Sequence, residues 1–144
     1  MEQHGYDPLP TFMEPAESPV NRPDLAQEYP LILTTGAKTV GYVHSEYRNL
    51  PSLRKLMPEP LIEINPQTAS SLGIANGDKV KVESLRGSIE LKAKLTEDIH
   101  PKVVSIQHGW SEANANLLTD DVARDPVSGY PSFRSLVCRV TKVA

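Results

Sequence analysis

Strict apolar–polar alternation appears twice in the middle of the chain. Lys79-Val-Lys-Val-Glu-Ser and the run from Ser88 to Leu95 each place an apolar residue at every second position. A period of two puts successive side chains on opposite faces, so each run reads as a half-buried strand. The intervening Arg86-Gly87 supplies the turn, which predicts a hairpin with Val80, Val82, Ile89, Leu91 and Ala93 on one face. Four shorter apolar runs read as further strands: Tyr29-Pro-Leu-Ile-Leu-Thr-Thr, stopped by Gly36; Leu61-Ile-Glu-Ile; Val103-Val-Ser-Ile; and Leu136-Val-Cys-Arg-Val-Thr-Lys-Val. Helical signals are few. Asn65-Pro66 offers an N-cap followed by proline at the first helical position, and Gly73 a stop, predicting a short helix over about 66–72. Leu50, Leu53 and Leu56 allow one more helical turn inside the irregular stretch 37–60. The expectation is mainly β with short helices, six strands closed into a small barrel that leaves no exposed sheet edge.

Composition sharpens the boundaries. Residues 1–28 hold five prolines and no sustained apolar period, which reads as an extended strap or linker ahead of a domain spanning 29–144. No apolar run approaches the roughly 20 residues that cross a bilayer as a helix. The formal net charge of -3 and the lack of a basic stripe argue against nucleic acid, and any bound anion must be held by locally placed donors. The single cysteine, Cys138, lies in an apolar run and reads as a small buried hydrophobe. One cysteine excludes an internal disulfide and a cysteine-rich metal site built from this chain alone. No catalytic or metal-ligating role is assigned to any residue.

Two constellations carry candidate binding chemistry. Thr35, Gly36 and Lys38 stand at a strand end, with His44, Ser45 and Arg48 a few residues on. Glycine there would let backbone N–H groups approach an oxygen-rich ligand, and the other side chains supply donors. A glycine turn followed by a solvated loop would look the same. The second is His108-Gly109-Trp110 with Asn116, Phe133 and Arg134, where an aromatic ring beside an amide suits recognition of a heteroaromatic ring. Trp110 serves equally well as a core anchor.

The order of the segments resembles a known family. Tyr29-Pro-Leu-Ile-Leu-Thr-Thr-Gly, His44-Ser45-Glu46-Tyr47-Arg48-Asn49, Pro58-Glu59-Pro60, Glu63-Ile-Asn-Pro, Gly73-Ile-Ala-Asn-Gly-Asp, Ser84-Leu-Arg-Gly, Ala115-Asn-Leu-Leu-Thr and Asp125-Pro-Val-Ser-Gly are similar to the C-terminal molybdopterin-dinucleotide-binding domain of the dimethyl sulfoxide reductase superfamily. The resemblance implies a six-stranded double-psi β-barrel that holds part of a bis-(molybdopterin guanine dinucleotide) cofactor, with molybdenum or tungsten ligated by another domain. It also implies a chain that is not catalytic alone, whose partners are the remaining domains of a parent oxidoreductase subunit and an iron–sulfur electron-transfer subunit. Carried over by position, the cofactor-binding residues are Thr35, Gly36, Lys38, His44, Ser45, Arg48, Trp110, Asn116, Phe133 and Arg134. One departure stands out: relatives often place arginine directly after the glycine, whereas position 37 is alanine and the cation is Lys38. An ammonium does not reproduce the bidentate fork of a guanidinium. The alternative from another class is a double-psi barrel serving as a protein-interaction adaptor or DNA-binding module.

Overall fold

The computed structural model describes residues 5–9, 11–37, 41, 44–119, 122 and 124–143. Six strands close into a barrel: β1 (Leu31–Ala37), β2 (Leu61–Ile64), β3 (Lys79–Glu83), β4 (Ser88–Leu95), β5 (Val103–Gln107) and β6 (Leu136–Lys142). Around the barrel the order is β1-β5-β2-β4-β3-β6, with β6 returning to β1. Two pairs, β1 with β5 and β2 with β4, run parallel, and the remaining neighbours are antiparallel. This interlocked arrangement is the double-psi β-barrel. Every strand has two neighbours, so the barrel presents no open edge.

The inside is set by alternation. Val80 and Val82 of β3 and Ile89, Leu91 and Ala93 of β4 all turn inward, while Lys79, Glu90, Lys92 and Lys94 stay outside. Leu33, Ile62, Ile64, Val104 and Ile106 fill the middle with no solvent exposure. Truncating one of these to alanine would cost about 2–5 kcal/mol through lost burial and the cavity left behind. Outward residues pair along the barrel wall, Lys94 of β4 with Glu63 of β2 at 2.9 Å and Lys92 with Glu59 just ahead of β2 at 2.8 Å. Such exposed pairs favour register and solubility more than stability.

Short helices join the strands. In α3 (Pro66–Ser71), Asn65 caps as its residue type predicts: its Oδ1 accepts from Gln67 N at 2.9 Å, and its Nδ2 donates to Ile99 O at 2.8 Å. The second bond ties the cap to the segment that enters β5. One turn, α2 (Pro51–Arg54), begins at the proline following Leu50.

Two sequence expectations need correction. Gly36 does not stop β1; the strand runs through it to Ala37, and the register against β5 slips between Thr34, opposite Ser105, and Ala37, opposite Gln107. The extra residue makes a bulge, a feature that the apolar run could not show because it depends on the partner strand. The proline-rich start is also not wholly extended. Pro23 opens α1 (Pro23–Glu28), whose one buried residue, Leu25, packs with Tyr29 and with Val137 of β6. One buried residue in six gives no helical period, so the helix is decided by this tertiary contact. Upstream, Ser18 is buried and Glu17 makes a two-pronged ion pair with Arg86 in the β3–β4 turn, Arg86 Nη1 donating to Glu17 Oε2 at 2.7 Å and Nη2 to Oε1. The strap therefore lies against the barrel. Among the described residues no helix is long and apolar enough to cross a membrane.

Candidate functional site: a ring-walled cleft beside a smaller cationic pocket

The ends of β1 and β5 and the chain leading into β6 meet at one rim of the barrel, where they enclose a cleft of about 700 Å³. Its lining includes Gly36 from the β1 bulge, His44, the pair His108-Gly109 just beyond β5, Asn116, and residues 130–134. Thr35 supports it from beneath. This residue is fully buried, and both its backbone N, at 2.9 Å, and its Oγ1, at 3.1 Å, donate to the carbonyl of Phe133. Thr35 thus fixes the chain that carries Phe133 and Arg134 and does not itself face the cleft.

Four rings follow one another along the wall. His44 to His108, His108 to Phe133 and Phe133 to Tyr130 have centroid separations of 5.7, 5.2 and 5.4 Å, all edge-to-face. That geometry suits the ring quadrupoles and leaves ring surface for a planar ligand. The polar complement is small. Asn116 sits in the 3-10 turn Ala115–Leu118, which Asn114 caps by accepting from Asn116 N at 3.1 Å. The side-chain amide of Asn116 and the guanidinium of Arg134 have no hydrogen-bond partner among the described residues. Arg134 is also exposed, so both groups are free to meet a ligand.

Glycine makes two of the close approaches. A β-carbon at Gly36 would stand 3.2 Å from Arg134 Nε, so the missing side chain gives the guanidinium its place. Gly109 has φ +88°, and its main chain abuts that of His44 and Ser45. His44 itself adopts φ 51° and Tyr47 φ 62°, left-handed conformations that cost a non-glycine residue free energy and shape the loop entering the cleft.

Behind that backbone contact lies a second, smaller pocket of about 260 Å³, lined by Ser45, Arg48, Asn49, Arg54, Trp110 and Glu112. The Arg48 guanidinium stacks over the Trp110 ring at 3.9 Å. The Glu112 carboxyl is held below its usual range by its own backbone N–H and the Ser111 hydroxyl, with smaller help from Arg48 and Arg54.

The ten residues singled out from sequence therefore divide. Gly36, His44, Asn116, Phe133 and Arg134 line the large cleft; Ser45, Arg48 and Trp110 line the small pocket; Thr35 is buried beneath; Lys38 lies outside the described residues. Trp110 is at once a core anchor, 3% exposed, and a pocket wall. Tyr130 completes the ring wall without having been singled out from the sequence, and His108, marked there only as part of the His108-Gly109-Trp110 run, joins it. The adjacent Ser128-Gly129 turn hides the role of Tyr130 in the sequence, since only folding brings its ring against Phe133. Cys138 is fully buried, and burial pushes its thiol up to about 12. Among the described residues no three His, Cys, Asp or Glu side chains gather as a metal-binding group.

Comparison with known proteins decides the family. Residues 31–137 match the model of the molydopterin dinucleotide binding domain. The chain belongs to that family. The domain is 39% identical to dopamine dehydroxylase of Eggerthella lenta over 158 aligned positions, covering 99% of the domain and 15% of that protein. It is 32% identical to acetylene hydratase of Syntrophotalea acetylenica, covering 92% and 21%, and 40% identical to an F420-dependent formate dehydrogenase subunit alpha of Methanocaldococcus jannaschii, covering 81% and 17%. Among solved structures, acetylene hydratase from Pelobacter acetylenicus superposes with a TM-score of 0.88 at 30% identity, over 99% of this chain and 22% of that one. The domain thus spans about a fifth or less of the length of these curated relatives. It is a molydopterin dinucleotide binding domain, and these matches give no support to an adaptor or DNA-binding role.

Proposed function

We propose that the 700 Å³ cleft receives the nucleotide and pterin portion of a bis-(molybdopterin guanine dinucleotide) within a larger oxidoreductase subunit. The observation that carries the reading is the convergence of a free amide, Asn116, and a free guanidinium, Arg134, on a cleft walled by four rings. This donor set fits the cofactor. A guanidinium suits an oxygen anion such as a phosphate, an amide can both donate to and accept from a heterocycle edge, and the ring faces pack planar groups. Gly36 leaves room for Arg134 to turn, and His44 supplies a further polar group at one end of the ring wall. Thr35 holds the Phe133 carbonyl and so the orientation of Phe133 and Arg134. Lys38 is assigned to the surroundings of the cofactor by sequence position alone; Ser45, Arg48 and Trp110, placed there by the same resemblance, line the small pocket and have no part in this cleft.

When bound, the cofactor supplies the metal-centred redox chemistry, and the domain contributes binding and orientation. The metal ligand then comes from polypeptide beyond this barrel. An iron–sulfur electron-transfer partner belongs to the same proposal, its cluster cysteines lying elsewhere because the one cysteine here is sealed in β6.

The test is an amide chemical-shift titration of the 144-residue chain with guanosine diphosphate. Shifts concentrated at Gly36, His44, Asn116, Phe133 and Arg134, and reduced about tenfold in apparent affinity by Arg134→Ala, are expected. Shifts scattered over the surface, or unchanged in R134A, would reject the assignment of this cleft.

A further inference from the structure

The smaller pocket holds two buried donors without partners. Trp110 is 3% exposed, and its indole Nε1 is buried without a hydrogen-bond partner. Nη1 of Arg48, stacked on the same ring at 3.9 Å, is likewise buried and unpartnered. Each such donor has given up its hydration without a partner to replace it, at greater cost where it is charged. Both side chains stand on the wall of one pocket, where an acceptor reaching in meets two donors.

The rest of the lining says what kind of acceptor fits. Arg54 adds a second guanidinium, exposed and without an ion-pair partner among the described residues, and Ser45 and Asn49 add neutral donors. Against two guanidinium groups stands one carboxylate, Glu112, so the lining carries a net positive charge. A volume of about 260 Å³ falls below the roughly 300–1,000 Å³ of pockets that take drug-sized ligands. A nucleotide is too large, and this pocket shares no lining residue with the ring-walled cleft.

We propose that the Arg48–Trp110 pocket is a separate binding site for a small organic carboxylate. One carboxylate oxygen accepts from the Trp110 indole N–H, the other takes the fork of Arg48, and Arg54 closes the outer side. Arg48 uncovers Trp110 as it tips from its stacked position toward the incoming anion. Nothing in this depends on the nucleotide cleft, so either assignment can fail without the other.

Trp110 is the single tryptophan of the sequence, so its indole N–H gives one isolated resonance and a direct test. The 144-residue chain is titrated with sodium acetate at constant ionic strength, with sodium chloride as the control. A saturable downfield shift of the indole proton is expected, reporting the new hydrogen bond. Arg54→Gln, at an exposed position, should weaken the apparent affinity about tenfold, and Arg48→Met should abolish the response. An indole resonance that does not move, that drifts linearly as with chloride, or that titrates identically in R54Q would overturn the proposal. Guanosine diphosphate should leave this resonance unmoved at concentrations that shift the Phe133 amide.

Discussion

Gly109 brings its main chain so close to that of His44 that a β-carbon would stand 3.1 Å from the His44 carbonyl carbon. The contact joins the turn after β5 to the loop after β1 and divides the rim of the barrel into a large and a small pocket. Two demands coincide at this residue, the space and the φ of +88°. Gly109→Ala should therefore be costly, by roughly 1–2 kcal/mol for the left-handed backbone alone, with displacement of His44 in addition. Thermal unfolding should show a Tm lower by about 5 °C, and amide exchange should accelerate at His44 to Arg48 before it does in the barrel strands.

At Gly36 the neighbour is a side chain and not backbone, and the prediction changes accordingly. A β-carbon 3.2 Å from Arg134 Nε can be accommodated if the exposed guanidinium moves aside. Gly36→Ala should keep stability within about 1 kcal/mol of the parent and weaken guanosine diphosphate binding by an amount close to that of R134A. In the double variant the two losses should not add, because both act through one guanidinium. Full additivity would separate Gly36 from Arg134.

The pair Glu17–Arg86 fastens the N-terminal strap to the β3–β4 turn with side chains only 15% and 22% exposed. Partial burial and two parallel hydrogen bonds make it stronger than the exposed pairs on the barrel wall. Glu17→Ala should cost about 1–2 kcal/mol, and limited proteolysis should cut residues 11–22 faster while the barrel persists. Unchanged cleavage would show that α1 and Leu25 suffice to hold the strap.

Cys138 offers a pH-dependent prediction. Burial raises its thiol from the usual 9.0 to about 12, so the folded state keeps the proton where an unfolded chain would lose it. The raised value contributes stability that is fully present below pH 9 and is lost progressively as pH rises toward about 12. In the native protein at pH 8 a thiol reagent should not label Cys138, and labelling should follow global unfolding in denaturant. Cys138→Ala should remove the part of the alkaline loss that belongs to this group.

Acid behaviour follows from the opposite sign. Glu83 is held below the ordinary carboxylate range first by Lys81, at 2.7 Å, and then by Arg139, at 3.2 Å. Its contribution is present above the carboxylate range and is lost as pH falls through the lowered value. Glu83→Gln should flatten the stability profile below about pH 4 and leave it unchanged near neutrality apart from a constant offset.

What was legible in the sequence was local. The alternation of Val80, Val82, Ile89, Leu91 and Ala93 defined the inner face of the hairpin because a strand repeats every two residues whatever surrounds it. Asn65-Pro66 marked the start of α3 because the cap bond to Gln67 reaches only two residues along the chain. Order of segments also sufficed to resemble the family, and with it the closed six-stranded barrel. Tertiary structure decided everything that depends on partners distant in sequence. It extended β1 through Gly36 by pairing it with β5, formed α1 by burying Leu25 against Val137, and turned Thr35 inward to hold the carbonyl of Phe133, 98 residues away. It also parted His44 from Arg48, and Asn116 from Trp110, into two pockets, because their separation is set by where Gly109 meets His44 and not by their spacing along the chain.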